Sequence, residues 1–136
     1  YRGQCAEFCG YEHAKMAFYV VAEPRIEFER WLAQQRAEAS TPGDSLAQGG
    51  ERVFLSSSCA MCHSIAGTGA GSNNGPDLTH LASRRTIAAG TLPNTAANLE
   101  SWILDPQMIK PGAKMPANRI DPQSLRALVA YLQELK

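Results

Sequence analysis

The chain has 136 residues, room for one ordinary domain or a small domain with a piece of another, and too few for a large enzyme. Lys plus Arg and Asp plus Glu each total 13, so the formal net charge is zero and nothing in it suggests a nucleic-acid partner. No stretch approaches the ~18 consecutive apolar residues of a membrane-crossing helix, and no charged-then-apolar leader opens the sequence.

The first residue, Tyr1, is not Met, and a cysteine motif follows almost at once, which predicts a piece cut from a longer protein. Cys5, Cys9, His13 and Met16 are spaced so that two thiols, an imidazole and a thioether can turn toward one centre from a single loop. These are copper donors, and zinc would accept the cysteines and the histidine. Residues 17–23, Ala-Phe-Tyr-Val-Val-Ala-Glu, predict a short strand stopped by Pro24. From about Pro24 to Ala39, Ile26, Trp31 and Leu32 stand among charged residues, as on an amphipathic helix that starts just after a proline. Residues 39–44, Ala-Ser-Thr-Pro-Gly-Asp, lack apolar anchors and read as a linker.

Asp44 or Ser45 can cap the next helix, which carries Leu46, Val53 and Phe54 and runs to Ser58. Residues 64–93 are rich in Gly, Ser, Thr and Asn, too polar to make a core and too long a loop for a purely protein-packed fold. Asn94 can cap a further helix with Leu99, Trp102 and Ile103, ended by Asp105-Pro106. Asp121, with Pro122 at the first helical position, opens a last helix whose stripe is Leu125, Leu128, Val129, Leu132 and Leu135.

Something must fill the middle of this loop-rich region, and Cys59-Ala-Met-Cys62-His63 supplies it. Two thiols three residues apart can add to two vinyl groups of one porphyrin, with the adjoining imidazole held beneath the iron. Covalent haem then serves as the apolar centre of a small domain. A zinc half-site would want two further Cys or His ligands, and a dithiol oxidoreductase a βαβ setting. The sixth iron ligand is sought among Met61, His80, Met108 and Met115; Met115 is favoured because Lys-Pro-Gly-Ala-Lys before it and Pro116 after it hold an extended loop.

Residues 45–136 resemble class I cytochromes c, through Gly50-x-x-x-Phe54, Cys59-x-x-Cys62-His63, Gly75-Pro76-Asp77-Leu78, Met115-Pro116 and Leu128-Val-Ala-Tyr131-Leu132. The resemblance implies that the first and last helices of this region cross at Gly50 and Phe54 against Leu128 and Tyr131. It also implies that the carbonyl of Pro76 accepts a hydrogen bond from His63. Phe54 stands five residues before Cys59 where the family usually has four, so a bulge is expected at the end of that helix.

The first residues, Cys5-x-Glu7-Phe-Cys9-Gly-x-x-His13-x-x-Met16, are similar to the end of the dinuclear copper domain of cytochrome c oxidase subunit II, a cupredoxin-like β-sandwich. The resemblance implies that Cys5 and Cys9 bridge two coppers, that His13 and Met16 each bind one, and that Glu7 contributes its backbone carbonyl. The upstream histidine of that family and most of its sandwich have no counterpart here, so dinuclear copper is expected in the full-length protein and not in this segment alone.

A copper motif followed by a cytochrome c resembles subunit II of caa3-type oxidases. The implied fold is mainly α, a class I cytochrome c fold around covalent haem c (45–136), preceded by a cupredoxin fragment with a helix (1–38) and a linker (39–44). The implied role is to accept electrons from a respiratory donor, such as an upstream cytochrome, and pass them to the copper centre beside the oxidase catalytic subunit; the segment is not catalytic by itself. The implied place is the periplasmic face of a bacterial inner membrane, anchored by transmembrane helices upstream of Tyr1. A free-standing cytochrome c carrier and a copper-delivery or zinc-binding module are the competing readings. Arg84 or Arg85 is a candidate partner of a haem propionate, and Trp102 a candidate neighbour of the ring. His80 is expected at the surface, and Lys110 and Lys114 at an exposed haem edge where a donor docks.

Overall fold

The computed structural model describes residues 1–136, with the elements β1 (Arg2–Gln4), β2 (Ala17–Tyr19), α1 (Arg25–Gln35), α2 (Ser45–Ser56), β3 (Thr86–Ile87), β4 (Leu92–Pro93), α3 (Ala96–Leu104), α4 (Pro106–Ile109) and α5 (Pro122–Glu134). Short 3-10 turns cover His13–Lys15, Ser58–Met61 and Leu81–Ser83. The chain gathers into two units, Tyr1–Glu23 with Arg84–Arg119, and Pro24–Ser83 with Ile120–Lys136.

The second of these units is built on α2 and α5. Asp44 starts α2 in an extended conformation, and its carboxylate accepts the Ala47 N–H at 2.8 Å. Asp121 does the same for α5, accepting from the N–H groups of Gln123 and Ser124. Such caps satisfy donors that the first turn of a helix leaves free. The buried face of α2 is Ala47, Gly50 and Phe54; Leu46, expected there, is exposed because it lies one residue round the helix. A Cβ at position 50 would fall on the carbonyl oxygen of Ala127, so glycine alone allows the two helices to approach this closely. Beyond it the rings of Phe54 and Tyr131 meet at 6.2 Å between centroids, tilted by 59°, a favourable aromatic arrangement. The crossing implied by the resemblance is present at these residues.

Helix α1 corrects an expectation. It starts after Pro24, whose carbonyl accepts the N–H groups of Glu27 and Phe28, yet none of its residues is buried, and Ile26 is 61% exposed. Its charged residues pair along the surface instead, Arg25 with Glu29 and Arg30 with Glu27, both at 2.7 Å. The linker is tethered at both ends, by Ala39 N–H to the Ala66 carbonyl and by Gly43 N–H to Glu134 Oε2. His80 is not a surface residue: it is 6% exposed, with Nδ1 2.9 Å from the Lys136 oxygen and Nε2 3.1 Å from the Ala37 carbonyl.

The other unit consists of hairpins and short helices. β1 and β2 pair antiparallel, Arg2 opposite Tyr19 and Gln4 opposite Ala17. The strand ends at Tyr19, short of the expected Glu23, because β1 offers only three partners. The segment expected to be a structureless loop contains the β3–β4 hairpin, whose turn places Ala88, Ala89 and Gly90 all at positive φ. Thr95, not Asn94, caps α3, because the Asn94 N–H and side-chain amide bond the carbonyls of Arg85 and Arg84. Asp105 ends α3 and at once caps α4, an additional helix with Pro106 at its first position.

Candidate haem and metal centres

Ser57 follows α2 in an extended conformation, φ −104° and ψ −177°, and its hydroxyl accepts the Cys59 N–H as the 3-10 turn begins. The chain is extended at this one residue, between the end of α2 at Ser56 and the turn that carries the cysteines. Cys59 is half-buried, Cys62 exposed, and both are free thiols; Met61 between them is 71% exposed. The His63 N–H bonds the Cys59 carbonyl at 3.0 Å, so the histidine follows from the turn that carries the thiols.

The imidazole is oriented from outside that turn. His63 Nδ1 lies 2.8 Å from the Pro76 carbonyl and donates to it, which leaves the Nε2 lone pair for a metal. Gly75 is a positioning residue for the ring: its N–H bonds the Cys62 carbonyl at 2.6 Å, and a Cβ there would come within 2.7 Å of His63 Cε1. Ser64 Oγ donates to Asp77 Oδ2 at 2.9 Å and Leu78 N–H bonds the Ser64 carbonyl at 2.8 Å, locking the two segments together. Two free thiols on a rigid turn and an imidazole fixed through Nδ1 fit covalently attached haem.

Met115 belongs to the other unit, half-buried, whereas Met108 is 81% exposed. Gln107, which no motif or spacing singles out, shapes the Met115 loop. Its amide donates to the carbonyls of Ala113 at 2.7 Å and Met115 at 3.1 Å, and its Oε1 accepts the Gly112 N–H at 3.0 Å. Trp102 is half-buried, and Arg84, Arg85 and Lys114 are exposed. Lys110 is the reverse of the surface residue expected: it is 7% exposed and ion-paired with Glu12 at 3.6 Å.

The soft donors of residues 5–16 are gathered in the β1–β2 hairpin loop. The ladder continues through the Cys5 N–H to the Met16 carbonyl at 2.9 Å, which sets the first and last donor opposite each other. The Gln4 amide holds the far side of the loop by the carbonyls of His13 and Ala14, and Gly10 turns it at φ +110°. Within this frame Cys9 Sγ lies 3.5 Å from Cys5 Sγ, 3.8 Å from His13 Nδ1 and 3.7 Å from Met16 Sδ. The Glu7 carbonyl lies 3.1 Å from Cys5 Sγ. The donor atoms of Cys5, Cys9 and His13 all fall within 4.8 Å of one another, a group able to hold a soft metal ion. The hydrogen bond with the Cys5 thiol pushes the Cys9 thiol above its ordinary range, while the Lys110 ammonium acts in the opposite sense.

Residues 47–136 match the cytochrome c family. Over its whole length the chain is 42% identical to cytochrome c oxidase subunit 2 of Alkalihalophilus pseudofirmus, and over 98% of it 33% identical to that of Bacillus subtilis. It spans 39% of the length of each of these relatives. It is also 34% identical to the cytochrome c of Cannabis sativa, over 68% of this chain and 91% of that protein.

Proposed function

The chain belongs to the cytochrome c family, and from that premise we propose that it is the electron-entry segment of a caa3-type cytochrome c oxidase subunit II. Haem-based electron transfer is the family's function. The finer reading is that the chain takes electrons from a respiratory donor, a cytochrome or another carrier, and delivers them to a dinuclear copper centre serving the oxidase catalytic subunit. The observation that carries it is the presence, in one chain, of a thiol pair with a Pro76-oriented histidine and of a separate hairpin in which four soft donors converge. A free-standing carrier would leave that hairpin without a role.

Bound at Cys59 and Cys62, haem c supplies a one-electron couple whose potential a methionine ligand raises. The two cysteines anchor it, and His63 offers Nε2 while Pro76 keeps the ring in one tautomer and orientation. Met115 offers its thioether from the loop that Gln107 shapes. Were His63 and Met115 both to hold the iron, no position would be left for oxygen or peroxide, which would suit relay rather than turnover. Arg84 or Arg85 pairs with a propionate and Trp102 flanks the ring. Cys5, Cys9, His13, Met16 and the Glu7 carbonyl are the copper donors in the full-length protein.

In domain terms, residues 1–38 close the copper domain, 39–44 link, and 45–136 form the cytochrome domain. No helix of the chain is long and apolar enough to cross a membrane, so anchoring to a bacterial inner membrane, with this segment on the periplasmic face, falls to other segments. The test is optical. The haem-loaded chain is expected to keep its Soret band after acid-acetone extraction and to show the weak charge-transfer band of sulfur on ferric haem. Met115→Ala should abolish that band and lower the potential, and Met108→Ala should change neither. A band unchanged in Met115→Ala moves the ligand to Met108; no covalent haem at all overturns the reading.

A further inference from the structure

Lysine is rarely buried unless paired, yet Lys110 is 7% exposed. Its ammonium lies 3.6 Å from Glu12 Oε2 and 3.3 Å from the Ala88 carbonyl. Glu12 Oε2 is itself buried without a hydrogen-bond partner, so Lys110 is the compensation for its charge. A buried pair of this kind contributes little net stability against an apolar alternative, but removing one partner strands the other. Its value lies in which segments it fixes.

Three segments meet at this ammonium. Glu12 directly precedes His13 in the soft-donor loop. Ala88 opens the β3–β4 turn, where it and Ala89 sit at φ 53° and 55°, a region that L side chains rarely adopt and that needs outside support. The same turn holds the residue after Met16, since Ala17 N–H bonds the Ala89 carbonyl at 2.8 Å. Lys110 itself follows α4, in which Gln107 holds Gly112, Ala113 and Met115. The contact between the soft-donor loop and this segment is doubled by Lys15 Nζ on the Ile109 carbonyl at 3.1 Å. It is tightened further at Gly112, φ +97°, where a Cβ would lie 3.2 Å from Glu12 Oε1.

We propose that Lys110 is a positioning residue whose ion pair with Glu12 couples the metal-binding loop Cys5–Met16 to the Met115 loop, so that metal in one alters ligation of iron by the other. This rests on the reading of the two clusters given above. Closing the donors around an ion shifts His13 and with it Glu12; Lys110 carries the shift to α4, and Gln107 carries it to Met115. Coupling between two binding equilibria is reciprocal, so the haem oxidation state alters metal affinity by the same factor as metal alters the haem equilibrium.

The experiment titrates Zn(II), which is redox-silent, into the haem-loaded full chain in its ferric and ferrous states. The wild type is expected to show about a fivefold difference in Zn(II) affinity between the two states, at the low end of ordinary coupling. Lys110→Met should bring the two affinities to within about 1.5-fold of each other, Lys110→Arg should keep most of the difference, and Glu12→Gln, which preserves volume, should lose it as Lys110→Met does. The ratio reports coupling, and a merely weakened fold would not move it. An unchanged ratio in both Lys110→Met and Glu12→Gln overturns the proposal, as does equal affinity in a wild type that binds Zn(II) and shows the sulfur charge-transfer band. A wild type that binds no Zn(II), or lacks the band, instead removes the reading of the clusters, and the proposal falls with it.

Discussion

The two cysteine pairs are presented in opposite ways. Cys5 and Cys9 sit in an exposed hairpin loop with their sulfurs 3.5 Å apart and His13 and Met16 beside them, held by three-residue strands and the Gln4 amide. Cys59 and Cys62 leave the end of a helix whose other face is buried against α5, and their histidine is aimed by a carbonyl thirteen residues away. A metal ion is small and demands converging donors. A macrocycle is large and demands anchors that are fixed rather than convergent. One site therefore rests on short-range hydrogen bonds and a buried ion pair, the other on a helix core.

Breaking the core should have the largest effect. Gly50→Val would drive its side chain onto the Ala127 carbonyl and the Tyr131 Cβ, and should prevent α2 and α5 from crossing at all. Phe54→Ala keeps the crossing but empties a site that is 1% exposed, at a cost of about 3–5 kcal/mol. Denaturant midpoints measure both; a loss under about 1 kcal/mol for Phe54→Ala would mean that the helix pair is not what holds this unit. The hairpin region is expected to break differently. Gln107→Ala removes three hydrogen bonds from an exposed side chain, about 1–2 kcal/mol of local order. Faster amide exchange at residues 112–115 and a weakened sulfur charge-transfer band should report it while the helix pair stays intact.

The soft-donor loop sharpens the contrast through pH. The Cys9 thiol is raised mainly by its hydrogen bond with Cys5, so protons compete with metal for its sulfur at neutral pH. Zn(II) affinity should accordingly climb with pH, about tenfold per unit for each proton released. Calorimetry in buffers of different ionisation enthalpy counts those protons. Binding that releases none would mean that the thiols are not the ligands.

What is legible in the sequence follows the same division. Helices α2 and α5 can be read because cap, proline and apolar spacing are local and agree with one another, and Cys59, Cys62, His63 and Pro76 because their spacing is set by one turn and one loop. β1 cannot be read, since Arg-Gly-Gln has no strand character and pairs only because β2 lies opposite. Asn94 and Thr95 are both good caps, and the contest is settled by carbonyls of Arg84 and Arg85 that occupy the asparagine. His80 and Lys110 look like surface residues by their polarity. Their burial depends on partners remote in sequence, Lys136 and Ala37 for one, Glu12 and Ala88 for the other. Gln107 is invisible for the same reason, because its work is done on loop carbonyls.

The smallest expected effect is inside the helix core, at Tyr131. Its ring packs on Phe54 and the residue is 1% exposed, but its hydroxyl is buried with no hydrogen-bond partner. Burial, and after it the Glu51 carboxylate, pushes the phenol from its ordinary 10.0 up to about 12. A value raised on folding means that the neutral phenol favours the fold; this contribution is fully present below pH 10 and is lost as pH rises through about 12. Tyr131→Phe keeps the ring and deletes the stranded hydroxyl, so stability near pH 7 should stay within about 1 kcal/mol of wild type, on either side. The alkaline decline should be shallower in the variant, because phenylalanine has no proton to lose. Denaturant midpoints at neutral pH and near the raised value measure both effects. A neutral-pH loss above about 2 kcal/mol would show that the hydroxyl does bond a partner, and that this helix pair, like the hairpin region, depends on a polar contact.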